Sequence, residues 1–544
     1  MLKLFLKTYL FRDAEQPFFK ASIPEDSDGL ITYDLLQCFD DIKDDIAEGC
    51  EIFDLKLLKT VVQLGKYHHK YFIGTDDMSS PDQGVNANDV FGAFPEDSPN
   101  LAELKKNGFE KIVCISNRLK QEAVNEGIWR HYRNIEIPFA LSLGHLTQNG
   151  IATDQLKIRL ALEKSRCALE KIDYALEQKN CHGHTLPDLN RWVRGFGFEE
   201  YLPRNGEDIE LKDLKLLSDR HPVFELCRRA EKIKRARSIL EKLYGCQNIR
   251  PQYNVVGTAT DRCTGSAPNI MGLPKIFRPV IVPSRKDFGI VECDYSQMEV
   301  GVIAALAEDK ALLEDFNQTD VYNTVAEFFW GTSGNTHRGK AKILFLGVLY
   351  GLSINTIARL IDAEIDTARK TLERLFQRYD RLRPYQESLV AAGTQKGYAE
   401  SVTGLKRYRF SVASIPTYWE KNWFKNFPVQ ASAAAVFKRA IIKLNQSVNG
   451  KPLRLIVPLY DSIVFEAPLA QLDNLTEIVC DCMVESMKEF FPQLQPKITV
   501  NNTCPACWCS EGQADSIEKF LDNPIGGIDV TKGKSGNVDW SKYL

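Results

Sequence analysis

Residues 290–300 read IVECDYSQMEV, and residues 453–468 read LRLIVPLYDSIVFEAP. Each is a β-branched, apolar run bounded by Pro, Gly or charge, and each sets an Asp, Asp294 or Asp461, at or just past its end. Such runs predict strands buried in a sheet. Two strands of one sheet would present the two carboxylates side by side. With no His or Cys beside them, the pair suits hard cations such as Mg²⁺, which prefer oxygen ligands and leave room for substrate phosphates. The chemistry this points to is two-metal phosphoryl transfer.

Between the two Asp residues lies RGKAKILFLGVLYG, residues 338–351. Arg338, Lys342, Leu346 and Tyr350 recur every four residues, so on an α-helix they form one slowly rotating stripe. At about 1.5 Å rise per residue the stripe is roughly 18 Å long, the length of a nucleoside triphosphate. Its cations would meet phosphates, and Leu346 and Tyr350 would meet base and sugar. Taken singly, Asp294 reads as a turn or cap residue and Arg338/Lys342 as a solvated helix face. It is their combination that points to a site.

The three segments resemble motifs A, B and C of the family A DNA polymerases, the family of bacterial DNA polymerase I and many phage replicases. Motif A is DYSQMEV, motif B is Arg338, Lys342 and Tyr350-Gly351, and motif C is YDSIVFEAP. Residues 258–283, TATDRCTGSAPNIMGLPKIFRPVIVP, resemble the stretch leading into motif A; TGLKRYRF at 403–410 and NFPVQASAAAVFKRAI at 426–441 resemble segments between motifs B and C. Order and spacing agree over about residues 134 to 510.

The resemblance implies a fold and a set of roles. The expected fold is α/β and α+β multidomain, a right-hand polymerase architecture of palm, fingers and thumb with a small N-terminal α/β module. The implied reaction is template-directed transfer of dNMP from a dNTP to a primer 3′-hydroxyl, in replication or repair. Asp294 and Asp461, with the backbone carbonyl of Tyr295, would hold two Mg²⁺ ions. Arg338 and Lys342 would hold the β- and γ-phosphates, and Lys342 would protonate the leaving group. Leu346, Tyr350 and Gln297 complete the implied dNTP contacts. Glu299, five residues after Asp294, would block a ribose 2′-hydroxyl and contact Tyr350. The related single-subunit RNA polymerases lack this Glu, so it favours DNA synthesis over the alternatives of RNA synthesis or reverse transcription; the intact site residues oppose a catalytically silent DNA-binding relative.

The implied partner is primer-template DNA, read independently of sequence through minor-groove acceptors and phosphates. Arg262, Asn426 and Gln430 take the minor-groove positions, Lys406 and Arg407 the backbone contacts, and Tyr460 the primer terminus. Residues 228–242, RRAEKIKRARSILEK, carry seven cations and two acids on a helical pattern. They read as a thumb helix, with Lys234 and Arg235 among its phosphate contacts. Three positions depart from the family pattern. Leu346 stands where Phe or Tyr is usual, Tyr460 where His is common, and Ser462 where many members have a Glu that supports the metal site.

Boundaries follow from breaks in pattern: 1–133 an N-terminal module, 134–252 the lead-in segment and thumb, 253–305 the first palm piece, 306–430 fingers, 431–513 the second palm piece, and 514–544 a tail rich in Gly, Asp and Lys. The first 100 residues hold 9 Lys/Arg and 19 Asp/Glu, a balance of −10 within a total of −3, so the other 444 residues balance at +7. Nucleic acid is expected on that basic remainder. Asp13 and Glu15 alone do not make an exonuclease, so the N-terminal module is expected to be a degenerate proofreading fold or a docking module for a separate exonuclease or processivity subunit. The run CPACWC offers Cys504, Cys507 and Cys509 without a nearby fourth ligand. Fourteen scattered Cys, no 18-residue apolar run and no secretory leader in MLKLFLKTYLF predict a cytoplasmic protein with reduced thiols, which the resemblance would place in a bacterial or phage-infected host cell.

Overall fold

The structure, a computed structural model, describes residues 2–7, 18–20, 29–32, 35–36, 51–62 and 64, and then 109–528 apart from 149, 197, 199–200, 203–207, 219, 362, 410–414, 502–505 and 511–512. Asp13, Glu15, Cys504, the loop 74–89 and residues 529–544 lie outside the described residues. The chain divides into two compact units. The first comprises residues 1–149, 250–266 and 292–501, and the second residues 150–249, 267–291 and 502–544.

A four-stranded sheet runs in the order Arg454–Leu459, Ser462–Pro468, Phe288–Tyr295, Ile498–Asn501; it belongs to the first unit except for residues 288–291, the start of its third strand, which group with the second. Its two central strands flank the acids: Phe288–Tyr295 carries Asp294 near its end, and Ser462–Pro468 starts directly after Asp461, which sits in the turn joining it to the edge strand Arg454–Leu459. Ile463, Val464 and Phe465 are fully buried, as are Ile290 and Cys293, which is the burial a near-continuous apolar strand requires. The helix Tyr418–Ser447 begins with a capping box in which Thr417 and Glu420 exchange bonds, and it buries Phe424, Phe427, Val436 and Ile441. It packs against the helices Leu472–Phe490 and Met298–Ala307. The latter is apolar apart from Glu299 in its first turn, and Gly301 is there because a Cβ would stand 2.6 Å from the Phe316 ring. Asp309 and Asp320 cap the next two helices, Lys310–Gln318 and Val321–Trp330, each accepting from a backbone N–H. The helix Asn335–Leu349 comes next, packed on Val321–Trp330.

The N-terminal part of this unit carries a second sheet, ordered Phe18–Lys20, Leu2–Lys7, Gly29–Thr32, Glu51–Asp54, mixed in direction. Asp54 joins its last strand to the neighbouring helices. The carboxylate accepts from Leu35 N and Leu57 N, and the Asp54 N–H donates to Tyr132 Oη at 2.8 Å.

In the second unit the helices Gln155–Glu177 and Pro222–Leu243 lie against one another, beside a short antiparallel sheet of Asn248–Ile249, Ile151–Thr153 and Ile281–Val282. Residues 267–291 therefore group with this unit, whereas the sequence placed them in the first palm piece. A two-residue strand has no periodicity to read. The expected tail also differs. Residues 516–522 form a helix that buries Ile517 and Leu521 and is tied to the Gln155–Glu177 helix by a 2.9 Å Lys164–Asp522 ion pair. A Gly- and Asp-rich composition hid one short amphipathic turn.

Candidate active site

The two acids meet by a backbone stitch. Leu459 pairs with Ser462 across a two-residue turn made by Tyr460 and Asp461, and Tyr460 takes the positive φ (51°) that such a turn imposes on one of its central residues. Tyr295 N donates to Asp461 O at 2.9 Å, so the turn is held beside the end of the Asp294 strand. Tyr295 itself is buried, with its hydroxyl donating to Met483 O at 2.5 Å. Asp461 sits at the hairpin tip, open to solvent yet crowded by protein. Its carboxyl is pushed up to about 7, by desolvation first and by the charge of Asp294 second, while Lys342 and Arg262 pull it down. Ser462, read from sequence as a lost carboxylate, is an active member of the site: its hydroxyl donates to Asp294 Oδ2.

Glu299 is shared. Tyr350 Oη donates to its Oε2 and Arg262 Nη2 to its Oε1. Burial and the Glu299 charge hold the Tyr350 phenol well above its ordinary value, so it remains a donor. Arg262 also lies 5.7 Å from the centre of the Tyr460 ring. Gln297, at positive φ (58°) where strand turns into helix, accepts from Val321 N at 3.0 Å and thereby fixes the start of the Val321–Trp330 helix.

On the Asn335–Leu349 helix, Arg338 donates twice to Asp320 Oδ2, at 2.8 and 3.0 Å. Arg338 and Lys342 lie 5.6 and 5.9 Å from the centre of the Tyr322 ring. Leu346 is half-buried, and Tyr350 caps the helix. Asp320 and Tyr322 were missed by the sequence reading; the only signal was a cap Asp two residues before a Tyr.

Other expected contacts are engaged elsewhere. Lys406 Nζ donates to Glu126 O at 2.6 Å, and Arg407 stacks 4.6 Å from the centre of the Trp423 ring, where burial lowers it to about 10. Asn426 and Gln430 project from the Tyr418–Ser447 helix, and Asn426 Oδ1 is buried without a hydrogen-bond partner. Lys234 and Arg235 are on the Pro222–Leu243 helix of the second unit. Lys234 pairs with Glu231 at 3.0 Å, while Arg228 and Arg229 both hold Glu225. Much of that cationic stripe is thus paired within its own helix.

Among the described residues, two places bring metal-type donors together. His131, Glu136 and Asp261 converge, but the Lys438 ammonium sits among them at 2.6–2.8 Å from three carboxylate oxygens and takes the place a cation would have. At Asp294 and Asp461 the donors are oxygens alone. The Asp461 carboxyl is raised by desolvation first and by the charge of Asp294 second, both of which a bound cation would offset. That donor set fits a divalent, oxygen-seeking ion.

The fold resembles the POL domain of Pol1 from M. smegmatis, solved with DNA primer-template and dNTP, at a TM-score of 0.72 and 19% identity over 88% of this chain and 86% of that one. The fold is therefore that of a polymerase domain. A model described as DNA polymerase family A matches residues 204–509, 306 of the 544 residues, and the chain belongs to that family. DNA polymerase I of Bacillus subtilis (strain 168) is 24% identical over 75% of this chain and 49% of its own length. The thermostable DNA polymerase I of Thermus aquaticus is 25% identical over 75% and 51%, and DNA polymerase I of Geobacillus stearothermophilus is 28% identical over 72% and 48%. The chain spans about half the length of these curated relatives. Among the described residues no helix is long and apolar enough to cross a membrane.

Proposed function

We propose that this protein is a primer-dependent, template-directed DNA polymerase that transfers dNMP from a dNTP to a primer 3′-hydroxyl. The observation that carries the reading is the stitched pair of acids, Asp294 and Asp461, in one unit with Glu299, Arg338, Lys342 and Tyr350. Asp294, Asp461 and the Tyr295 carbonyl are the ligands we assign to two Mg²⁺ ions. When bound, such ions lower the pKa of an attacking hydroxyl and neutralise the triphosphate. Arg338 and Lys342 hold the β- and γ-phosphates and Lys342 gives its proton to the leaving pyrophosphate. Glu299, held by Arg262 and Tyr350, closes the space a ribose 2′-hydroxyl would need. Gln297, Leu346 and Tyr460 shape the nucleotide and primer-end surface, and Arg262, Asn426 and Gln430 face the minor groove. The Pro222–Leu243 helix, with Lys234 and Arg235, is the duplex-facing thumb. The reaction belongs where the DNA is, in the cytoplasm of a bacterium or an infected cell.

The test is primer extension on a defined template with dNTPs and Mg²⁺. The wild type should extend, and Asp294→Ala and Asp461→Ala should each lose several orders of magnitude while retaining primer-template binding, because metal clamps act on the transition state. Extension by both variants at the wild-type rate would remove the assignment.

A further inference from the structure

Away from the two acids, four charged side chains lie together with 0–1% exposure: His131, Glu136, Asp261 and Lys438. Lys438 Nζ donates to both Glu136 oxygens at 2.8 Å and to Asp261 Oδ1 at 2.6 Å. His131 Nε2 stands 2.8 Å from Glu136 Oε1 and 3.5 Å from Asp261 Oδ2, and its Nδ1 is 2.8 Å from Thr403 Oγ1. Burial depresses the imidazole, but Asp261 and Glu136 outweigh it and push it up to about 9. Two cations then balance two anions.

Such a cluster is a poor way to gain stability, since well-packed apolar residues of similar volume are often as good or better. What it does supply is a fixed geometry between distant segments: the end of a short helix, the turn 258–262, and the long Tyr418–Ser447 helix. Asp261 makes the point sharper. Its φ is +65°, a conformation in which Gly is at ease and a side chain is strained. The position retains a strained residue whose carboxylate is spent on Lys438. The next residue is Arg262, whose N–H donates to Thr258 Oγ1 at 3.0 Å and whose C=O accepts from Gly257 N at 2.9 Å. Arg262 is the residue that reaches Glu299.

We propose that the Asp261–Lys438–Glu136–His131 cluster is a positioning device for Arg262, clamping the turn from which its guanidinium reaches Glu299. The consequence for sugar choice rests on the polymerase reading above: an Arg262 that wanders leaves Glu299 loose and the gate open.

The test uses the full chain as wild type, D261N, D261G, R262A and D261N/R262A. D261G guards against misfolding, because Gly accepts this φ without strain. Hydrogen exchange followed by mass spectrometry, without DNA or metal, should speed up over residues 257–263 in both Asp261 variants and stay unchanged over 472–490. Unchanged exchange at the turn would overturn the proposal. In primer extension, the ratio of kcat/KM for rNTP to that for dNTP should rise roughly tenfold in D261N, the effect of losing one buried charge-assisted bond. D261N/R262A should go no further than R262A. An additive rise would mean that Asp261 acts by another route, and an unchanged ratio with a lowered Tm would make the cluster merely structural; either overturns the proposal. A wild type that fails to extend primers sinks the polymerase reading instead, and the exchange measurement still decides whether Asp261 positions Arg262.

Discussion

At the scale of single residues, charge is placed so that each group depends on a named neighbour. Asp461 titrates near 7 because it is crowded and faces Asp294, and a metal must compete with its proton. The Mg²⁺ concentration for half-maximal extension should therefore rise as pH falls from 8 to 6; an unchanged requirement would separate Asp461 from the metal. His131 behaves in the opposite sense. Its folded pKa of about 9 lies above its ordinary 6.5, so its charge contributes stability that is complete below about 6.5 and lost as pH rises through 9. The groups facing it are Glu136, Asp261 and Lys438, with Thr403 on the other ring nitrogen. The contribution is about 3 kcal/mol, and Tm of the wild type should fall between pH 7 and 9.5 more steeply than that of His131→Asn. Removing Glu299 as Ala should raise rNTP use relative to dNTP use, and an unchanged ratio would move the gate elsewhere. The Glu299–Tyr350 contact was legible only through the family resemblance, since the two residues lie 51 positions apart and no local spacing joins them. The buried cluster was not: its members come from positions as far apart as 131 and 438, with no local pattern to announce them. Ser462 was misread because a hydroxyl was weighed only as a missing carboxylate.

At the scale of elements, the strand ends and the Arg338 helix follow from apolar runs and a four-residue repeat, and both are present as read. What the pattern could not show is how the helix stops. Gly351 has φ +91°, and a Cβ there would lie 2.3 Å from Asn422 Oδ1 on the Tyr418–Ser447 helix. Tyr418 Oη also donates to Gly351 O at 2.6 Å. Gly351→Ala should cost on the order of 1–3 kcal/mol and move the neighbouring Tyr350, so KM for dNTP should rise. A variant with wild-type KM and Tm would show that this junction has slack.

At the scale of the whole molecule, the sequence pointed to a sheet bearing two acids and to a polymerase family; the two compact units group the residues differently from the stretches read from pattern, and the last described residues include a short helix. Ile517 and Leu521 are 4% and 2% exposed. Changing both to Ala should remove on the order of 4–10 kcal/mol and expose 150–249 to proteases before 292–501; equal cleavage of both segments would count against a separate second unit. A 3′-mismatched primer without dNTPs should not shorten, and shortening that Asp13→Ala abolishes would reveal a nuclease site. The order of the central sheet bears finally on how the chain is made. The strand Phe288–Tyr295 takes as its neighbour Ile498–Asn501, which leaves the ribosome about 200 residues later, on the order of 10–40 s at usual elongation rates. Through that interval the edge bearing Asp294 is a bare, apolar strand in a nascent chain, open to pairing with the wrong partner. Slowed or interrupted translation past residue 300 is thus the circumstance in which this protein is most exposed to aggregation, before its two acids have met.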